Sequence, residues 1–288
     1  MSATHSVPLA ITTPARLWQP FGRHIGLTVA VLYITLLVLA AVAPHLLTHG
    51  NPYGVAPREA FSPPSWVHPL GTDQSGRDIW TRLVFGTRNS LVIGIGSILL
   101  ALSVALALAI PGAFGGPVAE QSVKWIFEIL FSFPSVVLAL LLTAIFSSGT
   151  FPLIIAVGIG AAPGYGRMLF GQFLAIRNAS FIEAARSMGH SPSRILRSHL
   201  IPNAFRPLLI AGAMGVGQTI IWASALSFLG LGAPPPAAEW GTMLSMGRDY
   251  IAEAWWITFF PGVAIVLTML ATTTIGRFLK THFETNVS

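Results

Sequence analysis

The chain has 288 residues, 53% of them hydrophobic and 9% charged, and a mean hydropathy of +0.70. Soluble domains carry about 25% charged residues, so this composition excludes an ordinary soluble enzyme or binding module and defines an integral membrane protein. The formal charge of +6 is better explained by basic loops on one side of a membrane than by nucleic acid. The absence of Cys excludes disulfides, thiolate metal sites and cysteine nucleophiles.

Residues 1–20 are polar and proline-containing, with no short apolar region followed by a small-residue cleavage site, so residues 1–24 are expected to form a retained tail. A spanning helix needs about 20 largely apolar residues. Six stretches qualify: 25–47, 89–111, 124–146 with Pro134 inside, 151–173 with Pro163 inside, 203–229 and 255–278. An even number of spans puts both termini on one side. With the termini inside, eleven Lys and Arg lie inside and five (Arg58, Arg77, Arg82, Arg88 and Arg248) outside, which predicts cytoplasmic termini. The membrane domain is then 25–280, followed by a tail at 281–288.

Two outward loops, 48–88 and 230–254, are longer than idle connectors usually are and are expected to be docking surfaces. In the first, Gly71 and Gly76 flank Asp73 as in an ordered turn. In the second, Pro234, Pro235 and Pro236 favour an extended path.

The inward loop 174–202 is basic and punctuated for two short helices. Ser180 as N-cap with Glu183 three residues later fits a capping box. Gly189 supplies a left-handed stop, Ser191 and Pro192 can restart a helix, and Pro202 ends it. Phe181, Ala184, Ala185 and Met188 recur at i, i+3, i+4 and i+7, giving one apolar face on which the alanines permit close approach. Glu183, Arg186 and Ser187 flank that face. Anionic lipid could receive such a helix, but two turns bury little in a bilayer, so a protein partner is expected.

Other chemistry is sparse. No phosphate-binding G-x-x-x-x-G-K-[ST] occurs, and Gly212, Gly215 and Gly217, like Gly160 and Gly164, suit close packing between spans instead. His45 and His49 stand four apart, yet two ligands are too few for a metal site, and an interfacial role is expected. A membrane-embedded hydrolase would need a buried nucleophile and base, and the spans contain no central His, Asp or Glu.

Glu183-Ala184-Ala185, Gly189 and Ile201-Pro202-Asn203-Ala204 resemble the EAA loop of permease subunits in bacterial ABC importers. Three further blocks, "HPLGTDQSGRDIWTRLVFGTRNSLVIG" from His68, "PGYGRMLFGQFLAIRNASFIEAA" from Pro163 and "SFLGLGAPPPAAEWGTMLSMGRDYI" from Ser227, resemble the second membrane subunit of the oligopeptide, dipeptide and nickel importer family. The similarity runs in order from about Arg23 to Leu279.

That resemblance implies an all-α type I importer permease of six spans in the bacterial inner membrane, a transport subunit and not an enzyme. Its implied partners are a homologous permease, two ATPase subunits carrying ATP and Mg, an external substrate-binding protein and membrane lipid, with no nucleic acid. No cofactor or metal is expected on this chain. Glu183, Ala184, Ala185 and Gly189 would contact an ATPase subunit, with Phe181, Arg186 and Met188 completing the coupling helix. Asp73, Gly76, Arg77 and Asp78 belong to the first outward motif, and Glu239, Trp240 and Gly241 to the second; both are expected in docking or gating. The implied cargo is a di- or oligopeptide, with nickel or another metal chelate as the alternative. Two departures stand out: Gly276-Arg277-Phe278-Leu279-Lys280 replaces the family's usual Gly-Asp-x-Leu-Arg, and Trp125 and Glu128 replace the usual Arg and Asp, leaving Lys124 and Glu128 placed for a local pair.

Overall fold

The computed structural model describes residues 19–145, 148–195, 197–198 and 201–285. The expected N-terminal tail up to residue 18, Phe146 at the end of the third expected span, and residues 286–288 lie outside the described residues. Among the described residues the chain is helical, in the order α1 (Gln19–Val42), α2 (Ile79–Phe114), α3 (Pro117–Phe131), α4 (Ser135–Ile145), α5 (Thr150–Arg177), α6 (Ser180–Ser187), α7 (Pro192–Ile195), α8 (Ile201–Phe228), α9 (Trp240–Gly247) and α10 (Trp256–Thr285).

Five of these, α1, α2, α5, α8 and α10, are long and apolar enough to cross a membrane. The third expected span is not one straight helix. It divides into α3 and α4, bent by 84° at the break, so six straight spans become five and a broken pair. Pro134 sits in that break: it offers no N–H to the ladder and disfavours helical backbone at Phe133. Pro163 leaves α5 continuous. The difference is packing, because α5 lies along α2 over much of its length, and neighbouring helices compensate for a proline inside a span.

The α2–α5 seam is built from small residues. Ala101, Ala105, Ala109 and Ala113 recur every four residues on α2, which keeps them on one face. They pack against Ala161, Ala162, Leu169, Phe170 and Phe173 of α5 and Val123 and Phe127 of α3. Without a hydrophobic drive between helices in lipid, such close van der Waals packing supplies the association. Gly217 brings α8 against α10, where an added Cβ would stand 2.6 Å from Met269 Cα. Gly215 similarly meets the Ile98 side chain, whereas Gly164, expected as a packing point, faces open space. Helix α1 lies on α10 and α2 and is tied to α10 by Tyr33 Oη donating to Ala264 O at 3.0 Å.

Candidate functional site

The termini of the spans gather short elements at the two ends of the bundle, α6 and α7 at one and α9 at the other. Helix α6 differs in detail from the sequence expectation. Its N-cap is Ala179, in an extended conformation with no side-chain cap, and Ser180 is the first helical residue, so the capping box does not form. Glu183 still lies in the first turn, where a carboxylate complements the helix dipole. At the other end Gly189 adopts φ +78, with its N–H on Arg186 O at 2.9 Å and the His190 N–H on Ala185 O at 3.1 Å. This is a Schellman stop. Ser191 Oγ then accepts from Arg194 N–H at 3.4 Å as Pro192 opens α7. Pro202 does not end that helix; it occupies the second position of α8.

Ile182 and Ala185 turn inward, 0% and 1% exposed, and pack with Ile195 of α7 and Ile176 of α5. Phe181 and Met188 are 45% and 69% exposed, and Ala184, Glu183 and Arg186 are exposed beside them. The expected face of four therefore splits: Phe181, Ala184 and Met188 lie on the exposed side, and Ala185 belongs to the anchor. The bulky Ile182 takes the inward side, and Ala185, three residues on, follows it.

The base of this loop is held by ions. Arg177, the last residue of α5, places Nη2 2.9 Å from Glu120 Oε2 and donates from Nη1 to Ala113 O at 2.7 Å. Lys124 Nζ reaches the other Glu120 oxygen at 2.7 Å. The local partner of Lys124 is thus Glu120 and not Glu128, with the acid N-terminal to the base, the better orientation on a helix. One carboxylate joins the end of α5 to the start of α3, and the same arginine holds the end of α2.

At the opposite end, none of the seven outward-motif residues is exposed. Asp73 Oδ1 accepts from Ser75 N–H at 2.8 Å and Arg77 N–H at 3.0 Å, and its Oδ2 lies 3.5 Å from Arg77 Nη1. Gly76 has φ +74, and a Cβ there would collide with the Ala56 carbonyl. Asp78 caps α2, accepting from Thr81 N–H at 2.8 Å, while its second oxygen stands 3.1 Å from His68 Nδ1. Glu239 caps α9 through Gly241 N–H at 2.7 Å and Thr242 N–H at 2.8 Å. Trp240 is fully buried and donates from its indole to Leu83 O at 3.1 Å. Gly241 lies where a Cβ would come within 2.7 Å of Ser224 Cα. These residues build the loops and do not present a surface. The exposed surface of this end includes residues 53–55, 57–59, 63–67, the three prolines 234–236 and residues 251–253.

A further residue organises this end and carried no signal beyond its charge. Buried Arg82 donates from Nη1 to Pro52 O at 3.2 Å and from Nη2 to Pro236 O and Ala237 O, each at 3.3 Å. Asn89 adds a bond from Nδ2 to Ala238 O at 2.9 Å. Both outward loops are therefore fastened to the first turns of α2.

A polytopic helical bundle with a small exposed helix slung between two spans and tightly folded loops opposite it is the architecture of a membrane permease subunit. Comparison with known proteins gives the particular kind. The chain belongs to the binding-protein-dependent transport system inner membrane component family, which matches residues 97–288. It is 34% identical to the di/tripeptide transport system permease protein DppC of Pseudomonas aeruginosa, across 97% of this chain and 96% of that protein. The dipeptide permease DppC of Alkalihalophilus pseudofirmus is 36% identical, over 88% of this chain and 83% of that protein. The glutathione transport system permease protein GsiD of Pectobacterium atrosepticum is 34% identical, over 94% and 91%. Among solved structures, a chain of the inward-facing MetNI methionine ABC transporter shares the fold, with a TM-score of 0.57 and 22% identity over 69% of this chain and 95% of that one. The all-α type I importer permease fold and the importer family implied by the motifs are both borne out.

Proposed function

We propose that this chain is the permease subunit of an ATP-driven, binding-protein-dependent importer that carries di- or oligopeptides into the cytoplasm. A homologous permease stands beside it, two ATPase subunits hold ATP and Mg, and an external binding protein delivers the cargo. No nucleotide, cofactor or metal is assigned to this chain. The excess of basic residues among its inward loops supports a cytoplasmic α6 end, with both termini on that side.

The observation that carries this is α6, anchored through Ile182 and Ala185 while Phe181, Ala184 and Met188 are exposed to solvent. An apolar helix face of this kind is read by a groove on a partner. ATP binding draws the two ATPase subunits together, and each groove carries its helix with it. The displacement enters α5 at Arg177 and passes to α2 and α3 through Ala113 O and Glu120. Cargo then moves by alternating access. Peptide is supported as cargo by the dipeptide, di/tripeptide and glutathione permeases among the relatives.

Reconstitution in lipid with the partner subunits tests this directly. ATPase activity stimulated by the binding protein and by dipeptide is the expected result. A response to nickel chelate alone would move the cargo to metal, and no nucleotide-dependent coupling would remove the importer role.

A further inference from the structure

Helices α5, α8 and α10 line an open cleft of about 1030 Å³, at the upper end of the size of small-molecule sites. Five uncharged polar residues line it: Tyr165 and Gln172 of α5, Asn203 and Gln218 of α8 and Thr273 of α10. Polar groups at membrane depth face the bundle interior or a water-filled path and not lipid. On α10, Met269, Thr273, Arg277 and Lys280 follow one another at four, four and three residues, a single helical face, and all four line the cavity. Arg277 and Lys280 stand at its α6 end, and none of its described lining residues is acidic.

One more feature bears on what the cavity holds. Met168, Met214 and Met269 supply much of the apolar wall, and methionine adapts to side chains of different shapes. A molecule with a constant carboxylate and variable side chains meets both the basic end and the adaptable wall.

We infer that this cavity is the passage for anionic-ended cargo through this chain, with Arg277 and Lys280 drawing a carboxylate toward the α6 end. This rests on the importer function proposed above and adds its chemical selectivity. Two cations at the mouth of a low-dielectric cleft focus the field and raise the local concentration of anions.

The natural chain has no cysteine, so Thr273→Cys is a single reporter within it, and Gln218→Cys a second, deeper one. Each is placed in the assembled transporter, in vesicles of zwitterionic phospholipid, and labelled with an anionic sulfonatoethyl and a cationic trimethylammonioethyl thiosulfonate. Relative to a free thiol, the anionic reagent is expected to gain about tenfold over the cationic one. Arg277→Gln with Lys280→Gln should abolish that gain, and dipeptide with binding protein and ATP should slow labelling. Absence of labelling at both positions, or a preference indifferent to the two substitutions, overturns the inference. So does protection that needs added acidic phospholipid and not peptide, which would make the cavity a lipid site. Dipeptide uptake by the same transporter separates the two levels: normal uptake with failed labelling removes the passage alone, and absent uptake by the unsubstituted chain removes the importer function.

Discussion

Asp73 and Arg82 meet inside the α9 end of the bundle, Oδ2 to Nε at 3.6 Å, with 2% and 1% of their side chains exposed. The pair joins the first outward loop to α2, while the remaining nitrogens of the same guanidinium hold the backbone of both loops. Removing Arg82 leaves Asp73 with Arg77 as its remaining cation and takes the donor from three loop carbonyls, each of which costs about 1 kcal/mol or more when left unsatisfied. Arg82→Ala is therefore expected to lower the melting temperature of the detergent-purified protein strongly. Arg82→Lys should recover little, since an ammonium cannot reproduce the planar fork that reaches three carbonyls. A melting temperature unchanged in Arg82→Ala would show that the loops are fastened elsewhere.

The two sides of α6 should separate stability from coupling. Ile182→Ala empties the anchor shared with Ala185, Ile195 and Ile176, and is expected to destabilise the loop by about 2 kcal/mol or more. Phe181→Ala and Met188→Ala act on exposed positions and should stay within about 0.5 kcal/mol, yet reduce binding-protein-stimulated ATPase activity. Hydrogen exchange across residues 176–195 and the ATPase assay read the two effects independently. Full stimulation by the Phe181 and Met188 variants would remove the exposed side of α6 from the partner contact.

Gly189→Asp should abolish uptake while subunit abundance stays largely unchanged. No atom lies within 4 Å of the added Cβ, so the strain is that of the left-handed backbone at φ +78 alone. That strain is about 1 kcal/mol, too small to unfold a membrane bundle. The added charge, however, adjoins the contact helix. Immunoblotting of membranes beside dipeptide uptake checks the prediction, and normal uptake would contradict it.

Glu120→Arg and Arg177→Glu should each uncouple transport from ATP hydrolysis, lowering dipeptide moved per ATP consumed. Combining them restores the pair in reversed order and should recover part of the ratio. A double variant no better than either single one would show that the α3–α5 contact transmits nothing.

Much of this molecule is legible in its sequence, and the failures have identifiable causes. Spans announce themselves because lipid demands about 20 apolar residues, and five of the six expected stretches fall on long helices. Pro134 and Pro163 look alike in the text; only the α2 surface beside Pro163 keeps one helix whole while the other breaks. The special conformation of Gly189 was readable from the residue itself. The phase of α6 was not, because the inward side depends on Ile195 and Ile176, which lie outside the helix. The outward motifs marked Asp73, Glu239 and Trp240 as constrained, but a motif does not say in which direction. Their side chains point into the bundle to satisfy backbone N–H groups and a carbonyl. Arg82 entered only as one charge in a topology count, since its partners come from segments about 30 and 155 residues away.

The unequal fastening of the two ends has a mechanical consequence. Where Arg82, Asp73, Glu239 and Trp240 cross-tie the loops to α2, the helices are clamped at a common fulcrum. At the far end α6 itself rests through Ile182 and Ala185 on Ile195 and Ile176, beyond the Arg177–Glu120 pair at its base. A load applied there acts at the tip of levers whose roots are fixed, so the bundle flexes as tongs do, with the jaws at the α6 end and the stiff joint beneath α9.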